Sequence, residues 1–413
     1  MSTLPDLASA RRLDDADPLK SVRDRFRLPE GLIYLDGNSL GALPITSAQG
    51  VLQAIEQQWG NDLIGGWTKH DWIGAPRRIG GMIAPLIGAQ PHEVVVADST
   101  SVNLFKLIVS ALQARPGKST VLSEPGNFPT DLYIAGGATS LSQGHRLRTV
   151  PADKVIESID DDVAVILLTH VHYKTGRKLD MAAITAAAHA KGALIIWDLC
   201  HSAGAIEVDL HACDADLAVG CGYKYLNGGP GAPAFLFVAE RLHTTLQSPL
   251  TGWMGHQLPF DFSDDYIPAH GVDRFLCGTP PILGLAALEQ GVATFNQVDM
   301  KSLTAKSEAL SSLLLELVEA RCGKHGFELI TPRDPSTRGS HISFNHEHAF
   351  PICQALIANG IVGDFRAPNT LRLGLTPLYS RFEDVWRAVV TLEDIMNERK
   401  WDKEEYRRRG RVT

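Results

Sequence analysis

Ala193-Leu194-Ile195-Ile196-Trp197-Asp198-Leu199-Cys200-His201 reads as a short apolar strand that ends on an acid. An uninterrupted apolar run of this length suits a strand buried on both faces of a parallel sheet. In open α/β sheets ligands bind beyond the carboxyl ends of the strands, so Asp198 stands where a bound ring could be met. Lys224 follows Asp198 by 26 positions, inside Gly222-Tyr223-Lys224-Tyr225-Leu226-Asn227-Gly228-Gly229. A lysine offered from a glycine-rich turn can form a Schiff base with an aldehyde cofactor. An acid at an earlier strand end can keep that cofactor's ring nitrogen protonated. Together they read as a site for pyridoxal 5′-phosphate (PLP), in which the cofactor is an electron sink and the protein aims it. Taken singly, Lys224 would be a solvated surface lysine and Asp198 a turn or helix-capping acid; the pairing favours the cofactor.

Around this stretch, short apolar runs alternate with amphipathic segments. Strands are predicted at Val94–Ala97, Thr120–Leu122, Val163–Leu168, Ala193–Trp197, Leu217–Val219 and Ala234–Val238. Helical patterns intervene near 45–59, 76–88, 101–113, 130–138 and 180–191, with others near 281–295 and 300–320. Such alternation implies an α/β fold with a mainly parallel sheet covered on both faces. Beyond the helix holding Leu303–Val318 the order changes. Strands at Phe327–Ile330, His341–Phe344, Val362–Phe365 and Leu371–Leu373, with helices at 349–358 and 380–398, suit a separate α+β lobe. The expected division is an N-terminal arm (1–30) packing with the small domain, a large cofactor domain (31–300) and a small C-terminal domain (301–413).

The bulk properties agree with a globular enzyme: 413 residues, 44% hydrophobic and 21% charged. A net charge of -8 argues against a nucleic-acid surface. The basic segment from Arg399 to Arg411 also holds Asp402, Glu404 and Glu405 and reads as a frayed, solvated tail. Six cysteines (Cys200, Cys213, Cys221, Cys277, Cys322 and Cys353) lack metal-ligand spacing, and a reducing cytoplasm is the expected compartment. Met1-Ser2-Thr3-Leu4 opens no signal-peptide pattern, and no apolar run approaches the ~20 residues of a membrane span. His170 with His172, and His346-Glu347-His348, lack a third metal ligand nearby and read as structural or surface features.

Further residues gain meaning beside Lys224. Asp98-Ser99-Thr100-Ser101 precedes the apolar-periodic Val102–Ile108 and reads as a helix start, with Ser99 or Thr100 as the cap. Its free N–H groups and positive dipole end suit a phosphate. There is no dinucleotide or triphosphate glycine motif. His201 could meet a phenolic oxygen, or simply pack. Phe128, in Phe128-Pro129-Thr130-Asp131, could stack on a ring, or serve as a hydrophobic staple before a first-turn proline. Arg372 alternates with apolar residues in Leu371-Arg372-Leu373-Gly374-Leu375. A buried arginine needs an anion, either a substrate carboxylate in bidentate register or an internal salt-bridge partner.

In combination these segments are specific. Tyr34-Leu35-Asp36-Gly37-Asn38-Ser39-Leu40-Gly41, Thr100-Ser101-Val102-Asn103, Phe128-Pro129-Thr130-Asp131, Tyr173-Lys174-Thr175-Gly176, Asp198-Leu199-Cys200-His201, Tyr223-Lys224-Tyr225-Leu226-Asn227, Gly252-Trp253-Met254-Gly255-His256 and Thr279-Pro280-Pro281-Ile282-Leu283 follow in that order. The chain resembles the kynureninases, PLP enzymes of fold type I (aspartate aminotransferase-like), over nearly its whole length. The resemblance implies that Lys224 holds the cofactor and moves protons, and that Asp198 and His201 meet the ring nitrogen and ring oxygen. Thr100, Ser101 and Tyr223 match phosphate contacts, Phe128 the stacked ring, and Asp131 and Thr169 further cofactor contacts. Trp253 and Thr279 match positions that reach the cofactor of a partner subunit, which implies a homodimer with shared sites. Arg372 matches the receptor of the amino-acid carboxylate.

The implied reaction is Cβ–Cγ hydrolysis of L-kynurenine to anthranilate and L-alanine, in tryptophan catabolism. In it, Lys224 is displaced by the substrate amine and takes the α-proton, water adds to the γ-carbonyl, and Tyr223 is a plausible proton donor on the way to alanine. Animal members that favour 3-hydroxykynurenine carry asparagine where this chain has Thr279, and a histidine near Gly65-Gly66-Trp67; the nearest here is His70. A preference for kynurenine itself is therefore expected. The rival enzymes are others of the same fold, a cysteine desulfurase or a class-V aminotransferase, the former needing a reactive cysteine on a mobile loop. A non-catalytic PLP-fold domain is the remaining alternative.

Overall fold

The computed structural model describes residues 4–410. Met1–Thr3, at the head of the segment tested for a leader, and Arg411–Thr413, at the end of the basic tail, lie outside the described residues.

Seven strands form the main sheet: β1 (Val94–Val96), β2 (Thr120–Ser123), β3 (Arg146–Thr149), β4 (Val163–Thr169), β5 (Leu194–Asp198), β6 (Leu217–Gly220) and β7 (Phe235–Val238). Their order is β1-β7-β6-β5-β4-β2-β3. Neighbours from β6 through β3 run parallel, while β7 is antiparallel to both β1 and β6. Six of the seven were predicted, each to within a residue or two. β3 was not: its Arg-Leu-Arg-Thr sequence is the partly exposed edge strand, where charged residues discourage further pairing and no apolar run is required. Alternate side chains serve opposite faces. Val94, Val96, Ile195 and Trp197 belong to one core; Val95, Leu194 and Ile196 belong to another across the sheet.

A third core joins Ala10 and Leu35 to residues from Leu310 to Trp401. It lies around a four-stranded antiparallel sheet of β8 (Glu328–Leu329), β9 (His341–Asn345), β10 (Asp364–Arg366) and β11 (Thr370–Gly374), ordered β8-β9-β11-β10. The single strand predicted at Val362–Phe365 is two. Ile361–Val362 pairs in parallel with Ile33–Tyr34, and the chain turns at Gly363 before entering β10. The helix Leu7–Ala16 packs against Phe382–Asn397, where the Asp14 carboxylate accepts the N–H groups of Phe382 (2.7 Å) and Glu383 (2.9 Å). Those are free donors at a helix start, so Asp14 caps a helix almost the full chain length away.

The basic tail departs from expectation. Instead of fraying, it is tied down through Trp401, which is buried and stacks on His348 with ring centroids 4.2 Å apart. Arg409 lies over the Phe350 and Phe365 rings, and Arg399 and Arg407 pair with Asp402. The apolar anchor outweighs the charge pattern because one buried tryptophan removes far more apolar area from water than neighbouring charges lose.

Candidate active site

β1, β2, β4, β5 and β6 all point their carboxyl ends the same way, and a cavity of about 290 Å³ opens there. It brings together Thr100, Ser101, Phe128, Asp131, Thr169, Asp198, His201, Tyr223 and Lys224, contributed by five separate segments. Asp198 is the last residue of β5, with Oδ1 accepting the Cys200 N–H at 2.6 Å. Lys224 follows β6 in a turn closed by Asn227 N–H to the Lys224 carbonyl (2.9 Å) and Gly228 N–H to the Gly222 carbonyl (2.8 Å). Glycine is required at 222, where a Cβ would lie 2.3 Å from the Pro233 carbonyl oxygen. Asn227 takes a left-handed conformation (φ 56°) that asparagine tolerates.

The Tyr34–Gly41 segment finds its purpose beneath this turn. Gly41 donates its N–H to the Tyr223 carbonyl at 2.8 Å, and a Cβ at Gly41 would sit 2.3 Å from the Lys224 carbonyl oxygen. Gly41→Ala is therefore expected to push the lysine turn out of place, cutting turnover by ~10²-fold, as misplacement of about an ångström does. Steady-state assay checks this, and wild-type kinetics in the variant would refute it.

Electrostatics divide the cavity into roles. His201 Nε2 lies 3.1 Å from Lys224 Nζ, and a lysine ammonium can only donate, so the imidazole accepts there and carries its proton on Nδ1. Burial, then the Lys224 charge, hold His201 well below the usual histidine range, hence neutral. Burial pulls Lys224 down, but the acidic groups Cys221, Cys200, Tyr223 and Asp198 outweigh it and hold its ammonium above the ordinary value. Asp131 is pushed well above the usual carboxyl range, first by burial and then by the neighbouring Asp198. Of two acids in contact one keeps the proton, and here Asp131 keeps it.

Helix Thr100–Gln113 begins at the cavity, with Ser99 as its cap, accepting the Val102 N–H at 3.4 Å. Phe128 precedes helix Pro129–Thr139, lies 38% exposed toward the cavity, and has its ring centroid 5.7 Å from Lys224 Nζ. Its backbone N–H donates to Asn127 Oδ1 (2.7 Å), which also accepts from Thr169 Oγ1, so Thr169 orders the residue before the ring. Ser99, expected only as a helix cap, and Thr130, Tyr173 and Cys200, expected only as members of motifs, also line the cavity. Tyr173 was legible only as part of a motif. Its place comes from His172, whose Nε2 donates to the Gly126 carbonyl (2.7 Å) while Nδ1 accepts the Thr175 N–H (3.1 Å).

Three expected site residues do not line the cavity. Arg372 is 1% exposed on β11 and is held by Asp364, with Nε to Oδ1 at 2.8 Å, by Ser39 Oγ at 3.1 Å and by the Tyr173 carbonyl. With its amide turned so that the oxygen meets the guanidinium, Asn38 accepts from Nε at 2.9 Å and from Nη2 at 3.0 Å. Burial would raise Asp364, but Arg372 and Arg366 hold it below the carboxylate range. Trp253 is part-buried among Trp67, Phe260 and Phe262, and Thr279 is exposed.

Asp36, next to this network, is raised to about 7 by burial and by the Asp364 charge. An acid with a raised folded pKa binds more protons folded than unfolded, so its contribution to stability falls as pH rises. The window runs from about 4, the unfolded value, to about 7. Asp36→Asn is expected to flatten that decline in urea midpoints measured across the window; an unaltered slope would reject the assignment.

The residues fit a phosphorylated aldehyde. A buried lysine enters the cavity, Asp198 stands at a strand terminus with Asp131 in a helix's first turn beside it, and helix N–H groups open at one side. His201 Nδ1 is a buried proton donor without a protein partner. The fold is that of the fold-type-I PLP enzymes. A cysteine desulfurase from Thermococcus onnurineus NA1 superposes with a TM-score of 0.77 at 20% identity, covering 92% of this chain and 98% of its own. A cystine C–S lyase gives 0.76 at 16%, covering 88% and 98%. Within that class the sequence is decisive. A kynureninase from Pseudomonas fluorescens is 48% identical over 97% of this chain and 98% of its own length, and one from Burkholderia mallei (strain SAVP1) is 48% identical over 98% and 99%. The kynureninase C-terminal domain model matches residues 303–392. The chain belongs to the kynureninase family.

Proposed function

We propose that the cavity at Lys224 is the active site and assign its residues as follows; the activity is PLP-dependent hydrolysis of L-kynurenine to anthranilate and L-alanine. The observation that carries the assignment is the convergence of Lys224, Asp198 and His201 on one buried cavity. Bound there, PLP withdraws electrons from the substrate's α- and β-carbons so that the Cβ–Cγ bond can break. Lys224 holds the cofactor and then carries the proton removed from the α-carbon. Asp198 meets the ring nitrogen, with protonated Asp131 behind it supporting the negative charge. His201 offers Nδ1–H to the ring oxygen. Thr100, Ser101 and Tyr223 hold the phosphate, Phe128 covers one ring face, and Thr169 keeps Phe128 in place through Asn127. Tyr223, pushed up to about 12 by burial and by Cys221, stays protonated at ordinary pH and can donate to the alanine fragment. Arg372 meets the substrate carboxylate with its remaining Nη1 N–H, Asp364 holding its other edge.

Trp253 and Thr279 are assigned to the cofactor site of a partner subunit in a homodimer. In support, both lie off their own cavity, and large apolar side chains stand exposed on this chain, including Ile64 (81%) and Phe262 (74%). We place the enzyme in the cytoplasm, in tryptophan catabolism leading toward NAD. All six cysteines are unpaired, and no helix among the described residues is long and apolar enough to cross a membrane. With Thr279 and without the nearby histidine, kynurenine is the expected substrate over 3-hydroxykynurenine. Comparing kcat/KM on the two checks this, a preference for the hydroxylated one rejecting it.

Cys322 and Cys353 do not suit the mobile, reactive nucleophile of a desulfurase. Cys322 and Cys353 are in helices, fully buried, and pushed up to about 12 by that burial. The direct test is an absorbance spectrum of the purified protein followed by a fluorescence assay for anthranilate. A protein with no visible band and no anthranilate from kynurenine would end this assignment.

A further inference from the structure

Lys106 is a buried cation that none of these steps uses. It sits on the second turn of helix Thr100–Gln113 with no solvent exposure, and its ammonium is held by the Asp98 carboxylate and the Phe275 carbonyl, the latter at 2.6 Å. A charge so enclosed is strongly unfavourable unless paired and hydrogen-bonded, so its retention calls for a reason.

Asp98 supplies one. It occupies the left-handed region (φ 46°), which costs a residue with a Cβ some free energy. Asp98 is the corner at which the chain leaves β1 and bends into the helix, placing Ser99 as cap and the first N–H groups, at Thr100 and Ser101, at the cavity. The backbone on either side is already pinned. The Asp98 carbonyl accepts the Ala234 N–H (2.9 Å), and the Ala97 carbonyl accepts from Asn103 Nδ2 (2.7 Å). Among the described residues, the side chain that holds Asp98's own side chain is Lys106.

We propose that Lys106 is a positioning residue for the cofactor's phosphate: through Asp98 it holds the left-handed corner that aims the Ser99–Ser101 cradle. The proposal rests on the PLP reading above. Lys106 touches neither cofactor nor substrate and acts through one carboxylate.

The experiment titrates cofactor-free protein with PLP and, separately, with pyridoxal, which lacks the phosphate, following the visible band. For Lys106→Met the PLP Kd is expected to rise about tenfold or more, the size of a lost charge-assisted bond, and the pyridoxal Kd by less than about threefold. Adding Asp98→Gly should restore most of the PLP affinity, because glycine takes the left-handed corner without strain. Asp98 is 34% exposed, so Asp98→Ala and Asp98→Gly carry the same test should Lys106→Met not fold. Alanine should lose PLP selectively and glycine should keep it. Equal loss of both ligands, no loss of either, or no rescue by glycine would overturn the proposal. Unsubstituted protein that binds no PLP would instead defeat the cofactor reading, and this one with it.

Discussion

Lys224→Ala is expected to lower turnover of kynurenine by at least ~10³-fold, the scale on which a positioned proton carrier and covalent anchor act. Among the described residues, Lys224 is the one ammonium lining the cavity, and the other polar groups there are carboxyls, hydroxyls, a thiol and a neutral imidazole. None can replace it as an amine. Borohydride reduction of wild-type protein with PLP should mark the peptide holding Lys224, and the variant should take up no mark. The fold should survive. Removing a charge that is 91% buried also removes its desolvation cost, which offsets part of the lost attraction to its acidic neighbours, and His201 keeps its packing against His341, with ring centroids 5.4 Å apart. A Tm within a few degrees of wild type together with lost turnover is the predicted outcome. A mark on a different lysine, or retained turnover, would refute Lys224 as the anchor.

Arg372→Met should act first on stability. Its partner Asp364 is 2% exposed, and cutting one side of a buried ion pair costs ~3–5 kcal/mol because the remaining charge has no compensation. Arg366 also reaches the Asp364 carboxylate, at 2.7 Å, which places the effect toward the lower end of that range. The substrate role is separated by Arg372→Met combined with Asp364→Asn, in which no lone carboxylate is left. The double variant should regain much of the unfolding free energy in urea while keeping a KM for kynurenine raised ~10-fold or more, the scale of a lost charge-assisted pair. Wild-type KM in the refolded double variant would make Arg372 purely structural. Failure to regain stability would show that the guanidinium matters through Ser39 and Tyr173 rather than through Asp364.

The sheet was legible because buried parallel strands must be apolar throughout. Val163–Thr169 and Leu194–Asp198 could be seen without any partner. The edge strand Arg146–Thr149 escaped because an edge position relaxes that requirement. The tail misled for the opposite reason: its charges are conspicuous in the sequence, and the burial of Trp401 is not. In the site, residues whose chemistry is scarce stood out, such as a lysine in a glycine-rich turn or an acid ending an apolar run. Thr130, Tyr173 and Cys200 did not, since hydroxyls and thiols occur everywhere and only proximity gives them meaning.

What the order of residues determined by itself was the alternation that makes the sheet, the strand-end acid and the lysine turn, because periodicity and backbone freedom are local properties. The tertiary structure alone decided that Asp131 is buried beside Asp198 and so pushed well above the carboxyl range, that Arg372 is enclosed by Asp364, and that Gly41 lies under Lys224. Each depends on groups far apart in the chain meeting where water is excluded, and charge and contact at that range arise only once the chain has folded.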